Sequence, residues 1–465
     1  MGAATIVVGL GFGDEGKGTM VDWLVRTHDA KLVVRFNGGA QAGHNVVLPD
    51  GRHHCFSQWG AGTLAGARTL LSRTMLVNPI FALSEAERLE RIGVGDPLSL
   101  LAVEDTALIT TQFHVAANRL RELARSRSEG VHGSCGMGIG ETQQDVLAGV
   151  DDVIHAGELR DVATLKKKLR RCQERKLAEV NRLGFDRSSA AVQRELDVLI
   201  DYKNLALDAY ERFAAKASFV GERWLGEQLR GPGDVIFEGA QGVLLDEDWG
   251  FHPHTTWSHC TFLNAERLIP PDIEAVRLGV LRTFHTRHGA GPFPTESPEC
   301  DRLIRDDHNV RNDWQHGFRA GAFDLVLARY ALDVVGGCDV LALTHVDKLP
   351  LTQVCYAYED DTGTTTTRLP LGATSPAIPS LTYQEELGRQ LALRRPLLSR
   401  LPIESSSDGL RRAALHLGEE VIGVPVAALS TGQTYADKQD VRERWRMGRR
   451  AVACSGRAAM HRIET

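Results

Sequence analysis

An α/β fold, with a central, mostly parallel sheet flanked by helices, is predicted by three features of this sequence. Short apolar, β-rich runs end abruptly at glycines, helical periodicity resumes just beyond them, and this alternation recurs along 465 residues. Ala4–Leu10 reads as a buried strand, the glycine-rich stretch after it as a turn, and Lys17–Val25 as a helix. Lys31–Arg35 reads as a second strand followed by a second glycine-rich turn, Asn37–His44. From Asp151 to about Arg230 the chain is rich in Lys, Arg, Glu, Leu and Ala, and Leu165–Leu183 has helical spacing, which predicts a helical insertion or subdomain. Strand signals return at Asp234–Phe237, Ala275–Leu281 and Val340–Leu343. Thr352–Leu369 alternates like a small antiparallel pair with its turn near Gly363. No repeat or linker-like tract interrupts the chain, so one interwoven domain over residues 1–465 is expected.

Composition bounds the function. A net charge of −6 argues against a general binder of nucleic acid or membrane surfaces, and no stretch is long and apolar enough to span a bilayer. The eight cysteines are dispersed without a Cys-x-x-Cys pair, which predicts reduced thiols rather than a zinc cluster. With no basic leader before the first apolar run, a cytoplasmic protein is expected.

Six motifs carry candidate chemistry. Gly9-Leu-Gly-Phe-Gly-Asp-Glu-Gly-Lys-Gly18 lies between a strand and a helix, where bare backbone N–H groups and a helix N-terminus favour an anion. Lys17 adds a point charge for phosphate, and Asp14 stands where a carboxylate can bind magnesium or accept a proton. The spacing is neither Walker A nor a dinucleotide fingerprint, and a turn whose Asp caps the helix is the competing reading. In Asn37-Gly-Gly-Ala-Gln-Ala-Gly-His44, the histidine falls near the carboxyl edge of the expected sheet, placed to donate a proton or stabilise charge on a phosphoryl oxygen, with an ordinary surface or core histidine as the competing reading. Phe237-Glu-Gly-Ala-Gln-Gly242 supplies the amide of Gln241 at a strand end, where a plain turn is the alternative. Thr286–Glu296 combines two prolines, two glycines and a cation, the make-up of a rigid ligand-contacting loop. Asp347, in Leu343-Thr-His-Val-Asp347, can accept the two donors of a guanine edge, or be a solvated loop acid. Ser430-Thr-Gly-Gln433 is a small polar turn able to close over a base.

Taken in order, GDEGKG, GxxAGH, FEGAQGxLLD, TRxGAGPFPTE, T-x-x-D and VPV-x-x-x-STG resemble the adenylosuccinate synthetase family over nearly the whole chain. The resemblance implies a homodimeric ligase joining IMP to L-aspartate with GTP cleavage and Mg²⁺. It implies that Asp14 is the base and a magnesium ligand, His44 the acid, and the carbonyl of Gly43 a further magnesium ligand. It places Gly13, Glu15, Gly16, Lys17 and Gly18 around the phosphates. Asp347, Ser430, Thr431 and Gly432 fall around the guanine, and Gln41, Cys135, Gln241, Thr256 and Arg319 around the acceptor and amino acid.

The acceptor half departs from the family pattern. Where the family has Thr-Thr-Gly-Arg-Gly-Ile-Gly-Pro, this chain has Ser134-Cys-Gly-Met-Gly-Ile-Gly-Glu141, so Cys135 replaces a threonine and Met137 an arginine. Gly149 stands near the place of an arginine that reaches the partner subunit's IMP phosphate. In Trp314–Asp324 only Arg319 keeps a counterpart, Thr19 and His345 each replace a lysine, and Arg311 is a candidate compensating cation. Losing an arginine from a carboxylate site costs on the order of 2–5 kcal/mol. Two alternatives therefore accompany IMP and L-aspartate: a paralogue using a modified purine or another amine, and a GTP-binding regulator without catalysis. Retention of Asp14, Lys17 and His44 speaks against the regulator.

Overall fold

The computed structural model describes residues 2–126, 134–304, 317–372, 378–404 and 406–442. Ten strands form the main sheet: β1 Ala4–Gly9, β2 Leu32–Arg35, β3 Arg68–Leu71, β4 Leu101–Glu104, β5 Ser218–Val220, β6 Val235–Gly242, β7 Ala275–Arg282, β8 Val340–Thr344, β9 Val426–Ser430 and β10 Lys438–Asp440. Their spatial order is β10-β9-β8-β7-β1-β6-β2-β3-β4-β5, and every neighbouring pair is parallel except β9–β10. Successive side chains of a strand face opposite sides. Ile6 and Val8 accordingly join one apolar layer with Phe237 and Leu281, while Val7 joins the other with Ile236 and Val280. Burial on both faces explains why these strands read as continuous apolar runs.

Because the strands are parallel, the segments leaving β1, β2, β6, β7, β8 and β9 all emerge at one edge. Chain order reverses on either side of β1, which makes that edge a topological switch point, the usual ligand crevice of open α/β sheets. Helix α1 (Lys17–His28) begins there, buries Met20, Val21 and Leu24, and ends where Asp29 turns to φ 50°. Helices α2 (Gln112–Arg125) and α3 (Ile139–Leu147) build a wall beside the edge, α2 opening with a capping box at Thr111. Helix α4 (Val162–Val180) packs against α2 and is capped by Asp161, which accepts from the N–H groups of Ala163 and Thr164. Its Leu165, Leu169, Cys172, Lys176 and Val180 are spaced at helical intervals and form the buried stripe.

The sequence-based elements appear with three differences. The region after Asp151 is helical, but it also returns Ser218–Val220 to the sheet as β5, too short a run to show a period of two. The FEGAQG motif is not a turn: β6 continues through it to Gly242, and its register with β1 shifts between Val7 and Gly9. The small antiparallel element is Val354–Glu359 against Thr365–Thr366, extended by Arg395–Ser399, which the sequence did not suggest. Among the described residues no helix is long and apolar enough to cross a membrane.

Candidate active site

The loop after β1 is shaped around its own glutamate. Glu15 is buried; its carboxylate accepts from the N–H of Gly13 at 2.7 Å and from Lys17 Nζ at 2.8 Å. Burial opposes that charge, but Lys17 holds the carboxyl below its usual value. Lys17 Nζ also donates to the Gly13 carbonyl at 2.7 Å. A Cβ on Gly9 would stand 2.0 Å from the Glu15 carboxylate, so a side chain there would break this arrangement. Gly16 adopts φ 89° at the start of α1 and Gly18 lets the helix approach His44, whose Cβ a side chain would meet at 2.6 Å. Asp14 lies outside this internal network: its backbone carbonyl accepts from Arg282, and its carboxylate lies 3.4 Å from His288 Nε2.

The loop after β2 is tied to β6. Asn37 exchanges two hydrogen bonds with the backbone of Ala240, at 2.7 and 3.0 Å, as a neighbouring strand would. Gly38 leaves room for Ala240 and Gln241, and its N–H donates to Ser258 Oγ at 3.0 Å. At the end of the loop His44 is buried, with Nδ1 2.6 Å from Glu238 Oε1. Glu238 Oε2 accepts from the N–H of Ala61 at 2.9 Å. Burial pulls the imidazole below the usual histidine value, opposed by Glu238. Burial also opposes ionisation of Glu238, yet His44 and Arg35 keep its carboxyl below the usual range. With Nδ1 engaged by a carboxylate, Nε2 is the ring atom left for a ligand.

These loops line a cavity of about 840 Å³ that brings together Gly13, Asp14, Gln41, Gly43, His44, Cys135, Gln241 and Thr256. Both polar atoms of the Gln41 carboxamide and Oε1 of Gln241 are buried with no hydrogen-bond partner. Gln241 also holds φ 54°, an uncommon conformation for its residue type. Unpaired buried amides are costly, so these groups point to a polar ligand. Burial pushes the Cys135 thiol up to about 11, which keeps it neutral. Arg319 does not line the cavity. It donates to Glu296 at 2.7 Å and to the carbonyls of Gly289 and Gly291 at 2.7 and 3.1 Å, bracing the loop whose His288, Gly289 and Ala290 do line it. Arg287 helps: buried over the Phe12 ring at 4.3 Å, it donates to the carbonyls of Pro292 and His254.

The residues expected around a base form a second group, outside the cavity lining. Asp347 follows β8 and Ser430 ends β9, two adjacent strands of the same edge. Asp347 is partly exposed beside Lys348. Ser430 Oγ donates to the Gly432 carbonyl at 3.1 Å, and Thr431 Oγ1 to that of Asp437 at 3.2 Å. Thr19 Oγ1 donates to Gln433 O at 2.9 Å, linking α1 to this turn. His345 sits at φ 57°, its imidazole held well below the usual value by burial.

A family model described as adenylosuccinate synthetase matches residues 6–438. The chain belongs to the adenylosuccinate synthetase family. It is thus a GTP-dependent carbon–nitrogen ligase by family. Adenylosuccinate synthetases from Neisseria gonorrhoeae and Methylibium petroleiphilum are 31% and 32% identical to it. These matches cover 93% of this chain and 97% and 95% of theirs. The fold matches that of fully ligated adenylosuccinate synthetase from Plasmodium falciparum (TM-score 0.74, 20% identity, 95% and 100% of the two chains). It also matches the cyanophage S-2L succinoaminodeoxyadenylate synthetase bound to dGMP and dATP (TM-score 0.55, 15% identity, 98% and 99%).

Against the family pattern, the rewritten stretch Ser134–Glu141 forms the entry to α3 and part of the cavity wall, held by Asn118 Oδ1, which accepts from Ser134 Oγ and the N–H of Gly138, both at 3.1 Å. Gly149 is exposed just beyond α3 at φ 63°. Arg311 and residues 314–316 lie outside the described residues. Sequence reading did not assign Glu238 or Trp257, and took Arg287 only as the cation of the Thr286–Glu296 loop. Glu238 and Arg287 sit inside motifs already singled out, and Trp257 follows Thr256 directly.

Proposed function

We propose that this ligase transfers the γ-phosphoryl group of GTP to the 6-oxygen of a hypoxanthine-type ring and then replaces that oxygen with an amine. IMP and L-aspartate are the pair that relatives of this name imply. The observation that supports it is the convergence of Asp14, His44 and two unpaired amides, Gln41 and Gln241, on one cavity.

A lactam oxygen is a poor leaving group, and phosphorylation converts it into phosphate. Asp14 takes the N1 proton, which makes the 6-oxygen nucleophilic. His44 Nε2, with Glu238 favouring the cationic ring, supports charge on the transferring phosphoryl group. Lys17 and the loop N–H groups face the phosphates, a role that requires Lys17 to leave or share its bond to Glu15. Gln41 and Gln241 hold the ring edge. Asp347 accepts from the guanine N1–H and exocyclic amine, with Ser430, Thr431 and Gly432 closing the base site. The donor set fits magnesium: the Asp14 carboxylate and the Gly43 carbonyl are hard oxygen ligands lining the same cavity. When bound, the ion neutralises phosphate charge. A homodimer is part of the same proposal.

A second reading, an acceptor that differs from IMP, draws support from Cys135, Met137 and Trp257 in or beside the acceptor wall. The test is phosphate release from GTP by the purified chain with Mg²⁺ and IMP, with and without L-aspartate. Aspartate-dependent release with adenylosuccinate formation is the expected result for the ordinary pair. Release that needs a different acceptor or amine favours the second reading, and no acceptor-dependent release across a purine panel refutes the proposal.

A further inference from the structure

The loop after β1 does not hold its shape alone. Three successive carbonyls in it accept hydrogen bonds, and two of the donors come from neighbouring strands. Lys17 Nζ donates to the Gly13 carbonyl at 2.7 Å, Arg282 at the end of β7 donates to that of Asp14, and Thr344 Oγ1 at the end of β8 donates to that of Glu15 at 2.7 Å. Thr344 is 1% exposed, so its hydroxyl acts through its neighbours and not on a ligand. Gly16, where α1 begins, packs on the same side chain: a Cβ there would meet Thr344 Cγ2 at 3.4 Å.

The same hydroxyl also faces the other way. Its hydrogen is committed to Glu15, so its oxygen is left to accept from His345 Nδ1, 3.0 Å away. Thr283 Oγ1 donates to the His345 carbonyl at 2.7 Å and helps hold that residue at φ 57°. Asp347, the carboxylate expected at the guanine edge, lies two positions further along. A continuous chain of hydrogen bonds therefore runs from His345 through Thr344 to the Glu15 peptide, with Asp14 and Lys17 on either side of it. Coupling through such a chain needs an element with two arrangements. The loop has them if Lys17 is bonded to Glu15 in one and to a phosphate in the other.

We propose that Thr344 is a positioning residue that couples recognition of the guanine base to the shape of the Asp14–Lys17 loop. A base seated beside His345 and Asp347 fixes their turn, and the Thr344 hydroxyl then fixes the Glu15 peptide. This rests on the reading of Asp347 and the loop after β1 as two ends of one GTP site. The test is amide hydrogen exchange across Gly11–Gly18 in the full chain, free and saturated with guanosine, which carries the base without phosphates. Guanosine is expected to slow that exchange by about five-fold or more in the parent protein. Thr344→Val, which nearly keeps the shape and removes the hydroxyl, is expected to abolish the slowing with the affinity for guanosine retained. Thr344→Ser is expected to preserve it. A hydroxyl that merely braces the loop would, when removed, speed exchange in the free protein and leave the effect of guanosine in place. That result overturns the coupling, as does bound guanosine that slows nothing in the parent protein. A slowing lost in Thr344→Ser as well, or a loss of guanosine affinity in Thr344→Val, removes the hydroxyl from its positioning role. In each of these cases the ligase reading stands. Guanosine that fails to bind overturns the proposal, and failure of GTP to bind as well overturns the ligase reading with it.

Discussion

The two halves of the site are built by different means. On the activating side, Asp14, Lys17, His44 and Gln241 project from the β1, β2 and β6 segments, and strand-end loop geometry places them: glycines at φ 89° and 71°, the Asn37–Ala240 pair and a register shift before Gln241. The buried pairs Lys17–Glu15 and His44–Glu238 fix two of the side chains. On the acceptor side, α3 is held by charged side chains. Glu141 is bonded to Lys176 at 2.8 Å, and Asp145 to Lys176 at 2.8 Å, Arg175 at 2.6 Å and His114 at 2.8 Å. A wall supported by side chains can be rewritten residue by residue without moving the sheet edge proposed to carry the chemistry. That difference accounts for a chain that keeps the GDEGKG and FEGAQG segments while changing Ser134–Glu141.

The comparison is broken most strongly from the activating side. Asp14→Asn is expected to lower acceptor-dependent phosphate release by about 10²–10⁴-fold, the range for loss of a general base, with the affinity for GTP changed only slightly. Turnover within a few-fold of the parent protein would remove Asp14 from its role. From the other side, Lys176→Met removes the buried cation shared by Glu141 and Asp145, which keep Arg121 and Arg175; breaking a buried pair outright costs about 3–5 kcal/mol, an upper bound for this loss. A fall in thermal midpoint is expected, and an unchanged midpoint would show that α3 is not held by this network.

Much of the activating half was legible in the sequence because glycine-rich turns at strand ends are local signals, and the parallel order then gathers them at one edge. The partnership of His44 with Glu238 was not legible, since it joins residues 194 apart and depends on β2 lying beside β6. Arg319 was expected at the ligand and instead braces the loop that lines the cavity, a distinction of reach that spacing does not carry. The charged network behind α3 was hidden for another reason: Lys176 and Glu141 occupy helix positions that read as solvated faces.

Finer tests sharpen the contrast. Glu238→Gln removes the anion that favours the cationic form of His44, so the histidine pKa falls further. The decline of kcat with rising pH is then expected to begin at lower pH, with kcat reduced roughly 10–100-fold. An unshifted alkaline limb would separate Glu238 from the chemistry. Asp347→Ala is expected to raise the KM for GTP about ten-fold and weaken the preference for guanine over adenine, while kcat holds. Retained preference would place base recognition elsewhere.

The smallest effect concerns pH and the acceptor wall. Burial works against a charged His114, but Cys172 and Asp145 outweigh it and raise its pKa to about 9. A value raised above the unfolded level of about 6.5 contributes stability that is complete below that pH and lost as pH climbs through 9. The thermal midpoint should therefore decline across that window, and His114→Gln should flatten the decline. An equal slope in both proteins would show that other groups govern it.

The most direct test of the central claim follows the oxygen itself. An acceptor labelled with ¹⁸O at the 6-position is turned over with GTP and the amine, and the released phosphate is examined by mass. One ¹⁸O atom per phosphate is predicted, because the lactam oxygen leaves bonded to the transferred phosphorus. Amination with unlabelled phosphate would contradict activation of that oxygen by GTP.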